Sequence, residues 1–137
     1  MKKLFIIALL SCLISCDPEE IVQQQQENLV IQAITTGHWK VTSFVKGGTD
    51  VTLDFAPYKF QFKTNYTVDA INNGTVEKTG SWNADANAQT ITSNFSNASN
   101  PLVLLNGVFN IESTTWTSVN ASQTVNGELR TLRLEKL

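Results

Sequence analysis

Side chains able to move a proton or attack a carbon are few in this chain. There is one histidine, His38, and there are two cysteines, Cys12 and Cys16, both close to the amino terminus. A thiol or hydroxyl nucleophile needs a base within hydrogen-bond reach, and no Cys/His pair stands in the body of the sequence to supply one. Zinc would need several His or Cys side chains at ligand spacing, and no such cluster occurs. His38, directly before Trp39, reads as a strand-edge residue rather than a general base. Asp50, Asp54 and Asp69 are the set from which a glycosidase pair would have to be drawn, because that chemistry needs two carboxylates flanking a sugar bond. Their spacing does not bring any two together, and carboxylates in turns ordinarily stay solvated. Gly47-Gly48 lacks the strand-to-helix setting of a phosphate loop and reads as a hairpin turn. The expectation is a protein without catalytic activity, metal or cofactor.

Elements that would position these residues follow from composition and period. Charged residues make up 16% of the chain, while Thr, Asn, Ser and Gln are abundant, a balance that suits sheets with one dry and one wet face. No Lys/Arg cluster is present to track a phosphate backbone, so nucleic acid is not an expected partner. From Trp39 onward the hydrophobic period is two, most cleanly where Tyr58, Phe60 and Phe62 alternate with Lys59, Gln61 and Lys63. Turn signals recur at Gly47-Gly48, Asn72-Asn73-Gly74, Asn83 to Asn87, Asn97 to Pro101, Asn106-Gly107 and Asn126-Gly127. They predict strands near 39–46, 57–63, 65–71, 75–82, 88–95, 102–111, 114–120 and 127–136. About eight antiparallel strands joined as hairpins make an up-and-down barrel or a sandwich of meanders. No segment is long enough for a crossover helix, which excludes a parallel sheet. Strand parity puts Trp39, Val41, Tyr58, Phe60, Phe62, Val76, Trp82, Ile91, Leu132 and Leu134 inside.

Ahead of the strands, Ile21, Val22, Leu29, Val30, Ala33 and Ile34 fall near helical spacing and Gly37 is a plausible stop. A short amphipathic helix is expected there, plugging one end of the domain, with Gln23 to Gln26 on its solvated face. The first fifteen residues have a different character. Met1, Lys2 and Lys3 are followed by an apolar stretch, Leu4 to Ile14, too short to span a membrane and of the length of a signal-sequence core.

The residues Leu13-Ile14-Ser15-Cys16 resemble the lipobox of bacterial lipoproteins, and Asp17, Glu19 and Glu20 resemble the acidic export signal that follows the cysteine in surface lipoproteins of the Bacteroidetes type. The resemblance implies cleavage before Cys16, three acyl chains on that cysteine, and an outer-membrane protein facing the medium. Two or more chains anchor stably where one myristoyl holds only marginally. Residues 1–15 are then a signal peptide, 16–36 a lipidated tether with the short helix, and 37–137 the domain. The mature chain keeps eight basic and twelve acidic side chains, a formal charge of −4, and no cysteine that could form a disulfide within the domain.

Gly37-His38-Trp39 resembles the G-x-W signature of lipocalins, placed where a helical turn enters the first strand. Residues 37–137 as a whole resemble the lipocalin-like domains of Bacteroidetes-type lipoproteins of unassigned function, through Tyr58-Lys59-Phe60-Gln61-Phe62, Thr79-Gly80-Ser81-Trp82, Leu104-Leu105-Asn106-Gly107 and Leu132-Arg133-Leu134. The resemblance implies an all-β, roughly eight-stranded lipocalin-like barrel, with Arg130 or Arg133 stacked on Trp39 to close its floor. The inward aromatics of the expected fold lead to the expectation of a carrier that takes a small apolar or amphipathic ligand inside the barrel, with Tyr58, Phe60, Phe62 and Trp82 as lining. That role requires a void of about 300 Å³ or more. The rival expectation is a filled barrel that meets a glycan or an envelope protein through its loops, for which an exposed aromatic such as Trp116 in the stretch Thr114 to Gln123 would speak.

Overall fold

The computed structural model describes residues 28–137; the expected signal peptide, Cys16, the acidic run behind it and the glutamine run lie outside those residues. Helix α1 (residues 28–35) turns its one buried side chain, Ile34, onto the barrel. It stops where Gly37 takes a φ of +77°, a conformation that costs glycine nothing. Strands follow in the order β1 (Trp39–Lys46), β2 (Thr49–Asp50), β3 (Tyr58–Phe62), β4 (Thr67–Asn72), β5 (Thr75–Asp85), β6 (Thr90–Asn94), β7 (Gly107–Thr114), β8 (Ser118–Val125) and β9 (Glu128–Lys136). Two 3₁₀ turns interrupt the hairpins, Thr52–Phe55 before β3 and Leu102–Leu105 before β7.

Each strand from β3 to β9 pairs antiparallel with the next, β1 pairs along its length with β9, and β1 meets β3 at Trp39 opposite Phe60. The sheet therefore closes into an eight-stranded up-and-down barrel, with β2 a short flap on the end of β1. Closure settles the choice that parity left open between barrel and sandwich. Alternation fixes which turns share an end. α1, the β3–β4, β5–β6 and β7–β8 turns and the carboxyl terminus gather at one end; both 3₁₀ turns and the β4–β5 and β8–β9 turns gather at the other.

Nine of the ten residues that strand parity points inward are buried. Val76 is the exception, 51% exposed. A register shift between β4 and β5 pairs Ala70 with Lys78 but Ile71 with Val76, so the bulge at Glu77 turns Val76 to the outer face. A second bulge, between Val41 and Ser43, sends Phe44 inward instead of Ser43, where it stacks on Phe55 at 5.2 Å. Two predicted strands are displaced. Leu102–Leu105, expected to open the strand at 102–111, is the second 3₁₀ turn and buries Leu102, Leu104 and Leu105. The strand expected at 114–120 begins only at Ser118, because Thr115 and Ser118 close the preceding turn: the Thr115 N–H donates to the Ser118 carbonyl at 2.8 Å.

Candidate functional site

The four aromatics expected to line a ligand cavity are in the interior, but they pack on each other and on their neighbours. Tyr58 stacks on Phe60 with ring centroids 6.2 Å apart, Phe60 meets Phe95 at 6.3 Å, and Phe62 meets Trp82 edge-on at 5.6 Å. Their polar atoms are committed as well. The Tyr58 hydroxyl donates to Glu77 Oε2 at 2.6 Å, and Trp82 Nε1 donates to the Lys63 carbonyl at 3.0 Å. Desolvation, reinforced by the Glu77 carboxylate, raises the Tyr58 hydroxyl above the usual phenol range. The void left at the centre measures about 30 Å³, bounded by Phe60, Phe62, Val68, Phe95, Leu105 and Phe109. It is no larger than a water molecule or two, and its almost wholly apolar lining keeps it dry. The expectation of a lined ligand cavity is therefore corrected: Phe60 and Phe62 border a residual gap, while Tyr58 and Trp82 do not reach it.

Closure of the ends explains why so little space remains. At the end where α1 lies, Trp39 is 1% exposed and its Nε1 donates to the Ile34 carbonyl at 2.8 Å. The cation over the indole is Lys136, whose Nζ lies 5.1 Å from the ring centroid and donates to the Ala33 carbonyl at 2.9 Å. Arg130 and Arg133 do not take that place. Arg130 pairs with Glu128 at 3.0 Å, opposite Lys46 at the other end of the barrel, and Arg133 donates to Asn120 and Glu135 on the outer wall. The helix brings its own acceptor to the floor, and the ammonium of the penultimate residue reaches both acceptor and ring.

At the opposite end the Leu102–Leu105 turn lies in the mouth and is held by side chains that periodicity could not single out. Buried Gln123 donates through Nε2 to the Leu104 carbonyl at 3.3 Å and to the Asn106 carbonyl at 3.4 Å. Asn106 in turn accepts from the Phe95 N–H at 2.7 Å and donates to its carbonyl at 3.2 Å. Ser93 donates to the Leu105 carbonyl. A polar residue inside a barrel has no hydrophobic signature, so only its partners reveal its role. Gly80 contributes through absence of bulk: a Cβ there would stand 2.5 Å from the Asn94 carbonyl and 2.8 Å from the Phe95 ring.

The carboxylates named for glycosidase work are engaged apart from one another. Asp50 accepts from the Thr52 hydroxyl at 2.6 Å and the Thr52 N–H at 2.9 Å, which lowers its pKa. Asp69, on β4, is held below the usual carboxylate range by Lys63 at 2.7 Å and by the Thr79 hydroxyl at 2.7 Å. Asp54 sits in the first 3₁₀ turn. Among the described residues no group of three or more His, Cys, Asp and Glu side chains comes together as a metal site.

An open groove of about 460 Å³ lies at the α1 end, bordered by Leu29, Val30, Asp85, Gln89, Glu112 and Thr114. Its carboxylates already have partners, Asp85 with the N–H groups of Asn87 and Ala88 and Glu112 with the Ser122 hydroxyl. Trp116, two residues beyond Thr114 in the β7–β8 turn, is 54% exposed.

No protein-family model and no curated protein matches the chain. Among solved structures, a DUF4847 family protein from Bacteroides vulgatus is similar in fold, with a TM-score of 0.54 and 14% sequence identity over 77% of this chain and 96% of that one. At this identity the likeness concerns architecture, and the architecture it shares is the closed antiparallel barrel.

Proposed function

We propose that this protein is a non-catalytic lipoprotein module, anchored in the bacterial outer membrane through Cys16 and facing the medium, that works through its outer surface on a glycan or an envelope protein. The observation that carries the outer-surface reading is the interior void of about 30 Å³, an order of magnitude below the roughly 300–1,000 Å³ of small-molecule sites. Plugs at both ends, each tied by hydrogen bonds, oppose a wider opening. The anchor rests on the lipobox-like Leu13-Ile14-Ser15-Cys16.

Two measurements test the reading. The purified domain, mixed with a fluorescent apolar probe, is expected to give no saturable enhancement; stoichiometric binding displaced by a fatty acid would restore the carrier role. In cells, Cys16→Ala is expected to move the protein from the detergent phase to the aqueous phase on phase separation. Unchanged partitioning would remove the anchor.

A further inference from the structure

Exposed aromatic and exposed aliphatic side chains divide between the two ends of the barrel. Among the described residues the exposed aromatics are Tyr66 and Trp116, 48% and 54% accessible, and both sit in turns of the α1 end, the β3–β4 and β7–β8 turns. Leu29 on α1 is exposed at the same end. The Lys136 N–H donates to the Thr117 carbonyl at 2.8 Å, tying the Trp116 turn to the last strand. The opposite end exposes five aliphatic residues, Leu53, Val76, Val103, Val108 and Leu129, and no aromatic. Tyr and Trp, with an apolar ring and a polar tip, are the side chains favoured at the headgroup level of a bilayer.

The chain reaches the barrel at this same end. Eleven residues lie between Cys16 and Asn28, a reach of at most about 40 Å when fully extended. That length sets the α1 end down on the membrane without strain. Putting the other end on the membrane would take most of the tether just to run back along a wall whose longest strand, β5, has eleven residues, up to about 35 Å.

From this placement we propose that the α1 end of the barrel rests on the lipid bilayer, with Trp116 and Tyr66 at headgroup level and Leu29 beside them. The inference rests on the lipid anchor at Cys16. It leaves the outer wall and the end carrying the 3₁₀ turns as the surface presented to partners.

The chain has three tryptophans, and because Trp39 and Trp82 are 1% and 2% exposed, the difference between the native chain and Trp116→Phe isolates the emission of Trp116. The full lipidated chain is reconstituted into phosphatidylethanolamine/phosphatidylcholine vesicles, with and without bromine on the upper acyl carbons. The expected result is co-flotation with the vesicles, a blue shift of the Trp116 emission, its loss in brominated vesicles, and protection from acrylamide. Co-flotation with a Trp116 emission that stays red, unquenched by bromine and open to acrylamide, overturns the inference while leaving the anchor intact. So does an emission that shifts only when a soluble glycan is added, which would assign Trp116 to sugar stacking. Failure to float overturns the anchor and the inference with it.

Discussion

The barrel is stoppered twice, by different means. At one end a helix leans on a buried indole, and the floor is a large apolar contact fixed by Trp39 Nε1 on Ile34 and by Lys136 on Ala33. At the other a single 3₁₀ turn is drawn into the mouth by amide and hydroxyl groups of Gln123, Asn106 and Ser93. The first closure is dominated by buried area, the second by satisfaction of backbone carbonyls. Burial of a large side chain is worth more than a neutral hydrogen bond, roughly 1.5–3 against 0.5–1.5 kcal/mol. The α1 end should therefore be the costlier to break and the 3₁₀ end the easier to open.

Trp39→Ala should produce the largest loss. It removes an indole that is 1% exposed and the donor to Ile34, so a destabilisation of about 3–5 kcal/mol is expected. Urea unfolding followed by the fluorescence of Trp82 and Trp116 measures it. A loss below about 1 kcal/mol would mean that the helix, rather than the indole, forms the floor. Gln123→Met keeps the bulk but strips the donor from the Leu104 and Asn106 carbonyls, and should cost about 1–3 kcal/mol. Amide exchange should rise first at Leu104, Leu105 and Asn106 and leave α1 protected; equal acceleration at both ends would show that the two closures act as one unit.

How much of this was legible in the sequence differs between the ends for the same reason. The α1 floor announces itself: Gly37-His38-Trp39 sits between a helical and a two-residue period, and Ile34 falls on the helix's apolar stripe. The first strand, 39–46, carries the predicted bounds. The other closure is hidden twice. Leu102-Val103-Leu104-Leu105 is a continuous apolar run, which periodicity alone cannot tell from a buried strand. On β8 the inward positions hold Val119, Ala121 and Gln123, too small or too polar to show alternation, so periodicity does not mark where that strand starts. The bulges at Thr42 and Glu77 are invisible for a third reason: each adds a residue that reverses parity, hiding Phe44 from the core list and placing Val76 wrongly on it. The resemblance puts an arginine of the last strand over Trp39, yet Lys136 takes the role because α1 supplies the Ala33 carbonyl for its ammonium.

Acid should act on the wall between the two ends. Apart from Lys136, the groups that tie either closure are neutral, whereas Asp69 on β4 has its pKa lowered by Lys63 and Thr79. A depressed folded-state pKa contributes stability that is complete above the unfolded value, near 3.9, and is lost as pH falls through the folded value. Unfolding free energy should thus be level from neutrality to about pH 5 and fall below it. Asp69→Asn should flatten part of that fall. Exchange at the Gln123-bound turn should not respond before the wall does; if it does, acid opens the mouth directly.

The smallest effect concerns the space that both closures leave between them. Val68 is 1% exposed and borders the central void of about 30 Å³. Isoleucine keeps β-branching, so the backbone preference of β4 is unchanged, and one added methylene fits a gap of that size. Burying it should stabilise the protein by up to about 0.8 kcal/mol. A gain means that the void is real, dry and fixed, as a filled barrel requires. A loss of about 1–3 kcal/mol would instead be the mark of overpacking, with Phe60, Phe62 and Phe109 already unable to yield. Either sign separates this interior from that of a carrier: in a cavity large enough to hold a ligand, one more methylene would meet open space and change stability little.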